Sequence, residues 1–332
     1  MNINRRTILK SASAFALVAC NSHSFAQAPV EVTIAVSSTS FVIGGVRIGE
    51  SAGLFEKNGL KPRIVVMDSG NAAMAALLGR SAQFAVAGPP EVLAARVRKQ
   101  DIAVVVSLYR GLAGSLILSK ALASGLKTKV DSPLTERLKA LDGMSIAVPS
   151  ATSSLLGPVR KAALSNGANI KFTYMAQPAM VPALEAGAIQ GMIASFPFAG
   201  APLLKGTGVL WLNGPAGDLP SDALPSSSST MQTTSEYAKA NPDMVRRIQR
   251  SFVDIANFIK ESPEDARMAL AKGYSSLSKE ELDLAFNQQK TNWTAPFLSE
   301  DDIRQEIMLL KSSSDLQGLD AIDPKSVIIP AL

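Results

Sequence analysis

Three short apolar runs near the start of the chain constrain its fold most strongly. Residues 30–38 read VEVTIAVSS, residues 64–67 read IVVM and residues 84–87 read FAVA. Each run ends in small polar or glycine-rich residues: Ser37-Ser38-Thr39-Ser40, Asp68-Ser69-Gly70-Asn71 and Gly88-Pro89-Pro90. Each is followed by a stretch with helical spacing. Short strands followed directly by helices mark an α/β sheet, and the loops at the strand ends are where such sheets bind ligands.

The rest of the chain repeats this order. Helices are expected over residues 41–58, where Asn58-Gly59 makes a stop, over 71–78, and over 91–99, opened by Pro89-Pro90. A strand over 102–109 ends at Arg110-Gly111, and residues 115–119 lead out of the first domain. A second set places strands at 144–148, 172–175, 191–194 and 209–212, with a loop at 149–154 and a break at Ser195-Phe196-Pro197-Phe198. Residues 123–132 read as an irregular excursion, and the Gly-, Pro- and Ser-rich residues 213–229 as a linker or crossover. Beyond them the chain is predominantly helical: Asn241-Pro242 opens a helix with Val245, Ile248, Phe252, Ile255 and Ile259 on one face. The expected fold is α/β with two similar lobes, residues 27–115 plus 224–332 and residues 116–223, and a helical C-terminal region packed on the first lobe. Two close connections would let the lobes hinge over a ligand.

Residues 1–26 read as an export signal. NRRTILK at 4–10 is a twin-arginine pattern, and residues 11–19 form an apolar run too short to span a bilayer. Ser24-Phe25-Ala26 suits ordinary cleavage before Gln27, which is the favoured exit; Leu17-Val18-Ala19-Cys20 resembles a lipobox that would leave Cys20 lipidated. Either exit puts the folded part in the periplasm. Cys20 is the only cysteine and His23 the only histidine, so no internal disulfide can form and Cys-His, Ser-His-Asp and His- or thiolate-zinc chemistry is excluded. No metal site and no cofactor are expected. Loss of Arg5, Arg6 and Lys10 takes 33 basic residues to 30 against 28 acidic ones, a net +2 with scattered bases, which predicts no nucleic-acid partner.

Several ordered segments are similar to those of a known family. GLFEKNGL at 53–60, SGNAAMAAL at 69–77 and FAVAGPP at 84–90, with Ala147-Val148-Pro149 leading to Ser154 and the Asn241-Pro242 helix start, resemble the periplasmic solute-binding proteins of the aliphatic-sulfonate, taurine, nitrate and thiamine-precursor branch. The resemblance covers roughly residues 30–297. It implies a type II binding-protein fold and an exported, monomeric receptor without enzymatic activity, which delivers a small molecule to an ABC permease in the cytoplasmic membrane.

It also implies a pocket made by loops at strand ends. In this sequence these hold Ser38, Thr39, Ser40 and Phe41, then Ser69, Gly70 and Asn71, then Gly88, Pro89 and Pro90, then Ser150, Thr152, Ser153 and Ser154, then Ser195 and Phe196. Helix-start amides and neighbouring hydroxyls suit a small organic anion, a sulfonate above all. Ser69, Asn71, Thr152 and Ser153 serve equally well as helix caps. Arg110 is a candidate to pair with two anionic oxygens, and Tyr109, Phe196 and Phe198 to close on an apolar part. Asp68 and Glu91 adjoin the loops and favour an amine or zwitterion, so a thiamine-precursor or other nitrogen heterocycle is an alternative. A receptor for a sensor system and a carboxylate-based exported enzyme are the competing classes.

Overall fold

The structure, a computed structural model, describes residues 28–331. The twin-arginine leader, Cys20, His23 and the cleavage site after Ala26 lie outside the described residues. The strands run in chain order as β1 (Val30–Val36), β2 (Leu60–Val66), β3 (Phe84–Ala87), β4 (Ile102–Arg110), β5 (Gly114–Ser119), β6 (Ser145–Val148), β7 (Lys171–Tyr174), β8 (Gly191–Ser195), β9 (Gly208–Leu212) and β10 (Ser227–Thr234). The helices of the first part are α1 (Gly44–Ser51), α2 (Leu54–Lys57), α3 (Gly70–Leu78) and α4 (Pro89–Val97). Those of the middle part are α5 (Lys120–Gly125), α6 (Leu134–Lys139), α7 (Leu156–Ser165), α8 (Gln177–Glu185) and α9 (Gly200–Leu204). The last part holds α10 (Ser235–Ala240), α11 (Pro242–Glu261), α12 (Pro263–Gly273), α13 (Lys279–Gln289) and α14 (Glu300–Ser313).

Two five-stranded sheets, ordered β2-β1-β3-β10-β4 and β7-β6-β8-β5-β9, form a bilobed α/β fold of type II architecture. The first three strands of each order are parallel. The fourth is antiparallel to both neighbours: β10 lies between β3 and β4, and β5 between β8 and β9. The chain leaves the first sheet after Arg110 and enters the second at Gly114; it leaves the second after Leu212 and returns at Ser227. Each crossing thus enters its new sheet as the antiparallel strand.

The apolar runs of β1, β3 and β4 are buried as expected of strands covered on both faces. β2 is an edge strand, which is why it tolerates Pro62. Three local expectations are corrected. The single helix over residues 41–58 is divided, because Gly53 adopts φ 69° between α1 and α2. The irregular stretch over 123–132 begins inside α5. Residues 227–229, read as linker, belong to β10, whose polar side chains hid a buried strand.

α11 buries Val245, Ile248, Phe252, Ile255 and Ile259 on one face, as its spacing predicts, and packs on α1, α2 and β4. Gly49 lets the α1 backbone close on it: a Cβ there would lie 2.5 Å from Ile255 Cδ1 and 2.8 Å from Phe55. α14 packs against α4 and also reaches α7 of the second lobe, where Arg160 Nη1 donates to the Ser313 carbonyl at 3.2 Å. Ile255→Ala should lower stability by about 2–5 kcal/mol. The check is the midpoint of denaturant unfolding, with an unchanged denaturant slope.

Candidate functional site

The carboxyl ends of β1, β2 and β3 face those of β6 and β8 across the gap between the lobes, and their loops meet there. Phe41 N–H donates to the Phe196 carbonyl at 2.8 Å, and the two rings pack edge-to-face with centroids 4.9 Å apart. Thr152 Oγ1 donates to Asn71 Oδ1 at 3.2 Å. Ser154 Oγ donates to the Ser228 carbonyl at 2.6 Å, and its Cβ lies 2.8 Å from where a Cβ on Gly88 would stand. Ser228 Oγ in turn accepts from Ala113 N–H at 2.9 Å and donates to the Gly111 carbonyl at 2.7 Å. One serine therefore laces both interlobe connections together and holds the β6–α7 loop against them.

Within the loops, the C-terminal helices set the backbone. Tyr274 Oη donates to the Ser40 carbonyl at 2.8 Å and Trp293 Nε1 to the Phe41 carbonyl at 3.0 Å, so Phe41 is a fully buried anchor. Ser38 Oγ and Ser40 Oγ share a hydrogen bond of 2.8 Å, while Thr39 is exposed. Ser69 Oγ accepts from Ala72 N–H and Ser153 Oγ from Leu155 N–H, both at 3.3 Å; Ser69 therefore caps α3, whereas Ser153 closes a turn ahead of α7, whose N-cap is Leu155. Ser150 is buried and its Oγ has no hydrogen-bond partner among the described residues. Ser195 is buried too, its N–H and Oγ donating to Gln177 Oε1 at 2.8 and 3.1 Å. Gln177, the first residue of α8, is a site residue that sequence reasoning missed; its glutamine followed by proline at a helix start was the available signal.

Pro89 and Pro90 are buried at the start of α4, and Glu91 follows them with 5% of its surface exposed. Its Oε2 accepts from Gly88 N–H at 3.1 Å, closing the helix cap. A Cβ on Gly70 would lie 2.6 Å from Glu91 Oε1, so the absence of a side chain at Gly70 makes room for this carboxyl. Burial pushes the Glu91 carboxyl up to about 8, against the opposing bonds from the Glu91 and Gly88 amides. Among the described residues no group of three His, Cys, Asp or Glu side chains is placed to hold a metal.

Tyr109 and Arg110 are not brought to these loops. The Tyr109 ring is fully buried against Trp293, and its hydroxyl donates to Gln289 Oε1 at 3.0 Å. Arg110 Nη2 pairs with Asp302 Oδ1 of α14 at 2.6 Å, which turns the guanidinium expected to meet an anion toward α14, while its buried Nη1 has no hydrogen-bond partner among the described residues. Burial raises the Asp302 carboxyl, but the bonds from Arg110 and Ser299 outweigh it and hold the group below the usual carboxylate range.

Beside that pair, buried Glu306 Oε1 accepts from Ser226 N–H at 2.6 Å, Ser226 Oγ at 2.7 Å and Ser227 N–H at 3.2 Å. Burial nevertheless pushes its carboxyl up to about 7. Both raised carboxyls favour the folded state when protonated. Their contribution is full below the ordinary value of 4.5 and is lost as pH rises through about 7 for Glu306 and about 8 for Glu91. The melting temperature of the empty protein should therefore fall across this window, and Glu306→Gln should flatten the lower part of the fall. A melting curve that rises with pH there would contradict the assignment. Arg110→Ala should cost about 1–3 kcal/mol of stability at neutral pH by leaving Asp302 unpaired, and should leave solute affinity unchanged; calorimetric titration and unfolding together check both halves.

The NMT1-like family model matches residues 31–274. No curated protein matches the chain. Several solved structures share the fold. A protein from Bordetella bronchiseptica RB50 superposes with TM-score 0.76 at 18% identity, covering 90% of this chain and 94% of that one. The alkanesulfonate-binding protein SsuA from Xanthomonas axonopodis pv. citri, bound to MOPS, gives 0.73 at 16%, covering 92% and 99%. The periplasmic nitrate-binding protein NrtA from Synechocystis PCC 6803 gives 0.63 at 12%, covering 91% and 86%. With the family model spanning most of the chain, and two lobes whose small polar loops oppose each other, this chain belongs to the NMT1-like family of solute-binding proteins.

Proposed function

We propose that this chain is the exported substrate-binding component of an ABC importer, which captures a small organic solute between its lobes and presents it to a membrane permease. The observation that carries this reading is the interlobe seam. It is joined at the loops by single hydrogen bonds, Phe41 to Phe196, Thr152 to Asn71 and Ser154 to Ser228, while the two connections pass close together at Ser228. A net contribution of about 0.5–1.5 kcal/mol per neutral bond makes such a seam easy to open and easy for a bound solute to hold shut. The lobes assigned to this motion are residues 27–115 plus 224–332 and residues 116–223. Among the described residues no helix is long and apolar enough to cross a membrane. The periplasmic location rests on the twin-arginine leader, with release after Ala26 or anchoring through Cys20.

The solute is a small organic acid, for which a sulfonate-like group is the favoured anion. The hydroxyls of Ser38, Ser40 and Ser150 supply donors, and two of the similar structures are named for alkanesulfonate and nitrate binding.

Thermal-shift titration of sulfonates, nitrate, carboxylates and nitrogen heterocycles should find a selective, concentration-dependent rise in melting temperature, since a solute bound to the folded state stabilises it. Small-angle scattering of the same samples should show a smaller radius of gyration on binding. Thr152→Ala, which removes one seam bond, should expand the empty protein and weaken the solute severalfold. No shift with any compound and no compaction would overturn solute capture.

A further inference from the structure

The loops that face each other across the seam are short of positive charge. Residues 37–41, 68–71, 88–91, 149–155 and 195–198 contain no lysine, arginine or histidine. Several amides at the helix starts are occupied as well, though Gly70 and Asn71 N–H at the first turn of α3 have no protein partner among the described residues. Phe41 N–H bonds to Phe196, Ala72 N–H to Ser69 and Leu155 N–H to Ser153, while Pro89 and Pro90 have no N–H to offer. What this region does hold is a carboxyl. Glu91 is 95% removed from solvent, between Gly70, Gly88 and the opposing Ser154, and among the described residues its Oε1 has no hydrogen-bond partner.

We propose that Glu91 is the specificity-determining residue of the cleft, its Oε1 accepting a hydrogen bond from a protonated nitrogen of the solute, so that amine-bearing solutes are selected over their nitrogen-free analogues. The inference rests on the solute-capture reading and names one end of the solute; the other end meets the hydroxyls. With only Oε2 held by the Gly88 amide, charging this carboxyl in so dry a place is costly, and an arriving ammonium at Oε1 offsets that cost. Binding then sends the Glu91 proton to solvent while the solute nitrogen keeps its own.

The charged groups on elements packed against α4 are otherwise engaged or exposed. Asp68 ahead of α3 is exposed; on α14, Asp302 is held by Arg110, Glu306 by Ser226 and Ser227, Arg304 by Glu300 and Asp301, and Lys311 by Asp320. Arg96 of α4 itself pairs with Asp101, and no charged side chain contributes to the raised Glu91 carboxyl.

The test is calorimetric titration of the full mature chain and of Glu91→Gln, which keeps the helix cap because a glutamine carbonyl also accepts from Gly88 N–H. The probes are matched pairs: taurine and ethanesulfonate, β-alanine and propionate, benzylamine and benzyl alcohol. In wild type the amine member of a bound pair should bind at least about tenfold tighter than its analogue, and Glu91→Gln should abolish that preference. Wild-type affinity for the amine should rise by up to about tenfold per pH unit below about pH 8 and level off above it, with proton release on binding; Glu91→Gln should lack this dependence. Glu91→Asp, with the charge kept but withdrawn, should retain part of the preference.

Equal binding of both members, or a preference that survives in Glu91→Gln, would overturn the role of Glu91 and leave solute capture standing. Tighter binding of the nitrogen-free member, weakening as pH rises, would also overturn it, by showing that the carboxyl faces an oxygen. No binding of any probe by either protein would count against solute capture itself and remove the inference with it.

Discussion

A serine- and threonine-rich strand in the middle of a sheet needs partners for its hydroxyls, and β10 finds them largely in backbone carbonyls, Ser229 Oγ alone being buried without a partner among the described residues of the strand. Thr233 Oγ1 donates to Gln83 O, Thr230 Oγ1 to Ala87 O and Ser227 Oγ to Tyr109 O. Hydroxyl-to-carbonyl bonds fix direction where leucines would fix only volume. The outgoing connection is tied to the returning one through Ser228, so the lobes are held there and where α14 meets α7, while the loops across the cleft are joined only by single hydrogen bonds. The cleft, the seam and the position of Glu91 all depend on that anchored return strand.

The chemistry of the cleft follows from how α3 and α4 begin. Ser69 caps one and Glu91 caps the other, and Gly70 is small enough for the two starts to approach closely. Two prolines at the start of α4 remove the donors that usually make a helix N-terminus attractive to anions, and the capping carboxylate turns its own start into an acceptor. A helix start here is therefore no generic anion site; its character depends on which amides are already engaged.

Much of this was legible in the sequence. The apolar runs of β1, β3 and β4 and the five-residue stripe of α11 gave strands and helix their correct places, because hydrophobic burial was the force that ordered them. β10 was not legible, since its burial is maintained by polar bonds to residues up to 150 positions away, which no local period can report. Arg110 looked available beside a strand end because its partner, Asp302, lies 192 residues further on. Ser69 and Ser153 were ambiguous between capping and binding, and the structure gives Ser69 a capping bond and Ser153 a turn bond ahead of α7; Gln177 went unnoticed for want of any charge or repeat to mark it. The loops themselves were found, and the groups within them that are left for a solute required coordinates.

The sheet order also sets a schedule for folding. The second sheet holds all its strands once residue 212 has been made, whereas the first lacks a middle strand until residue 234. Until then β3 and β4 have no common neighbour, and each exposes a bare edge able to pair wrongly. The lobe that begins first thus finishes last, and a chain shortened before β10 would keep one sound lobe and one split one.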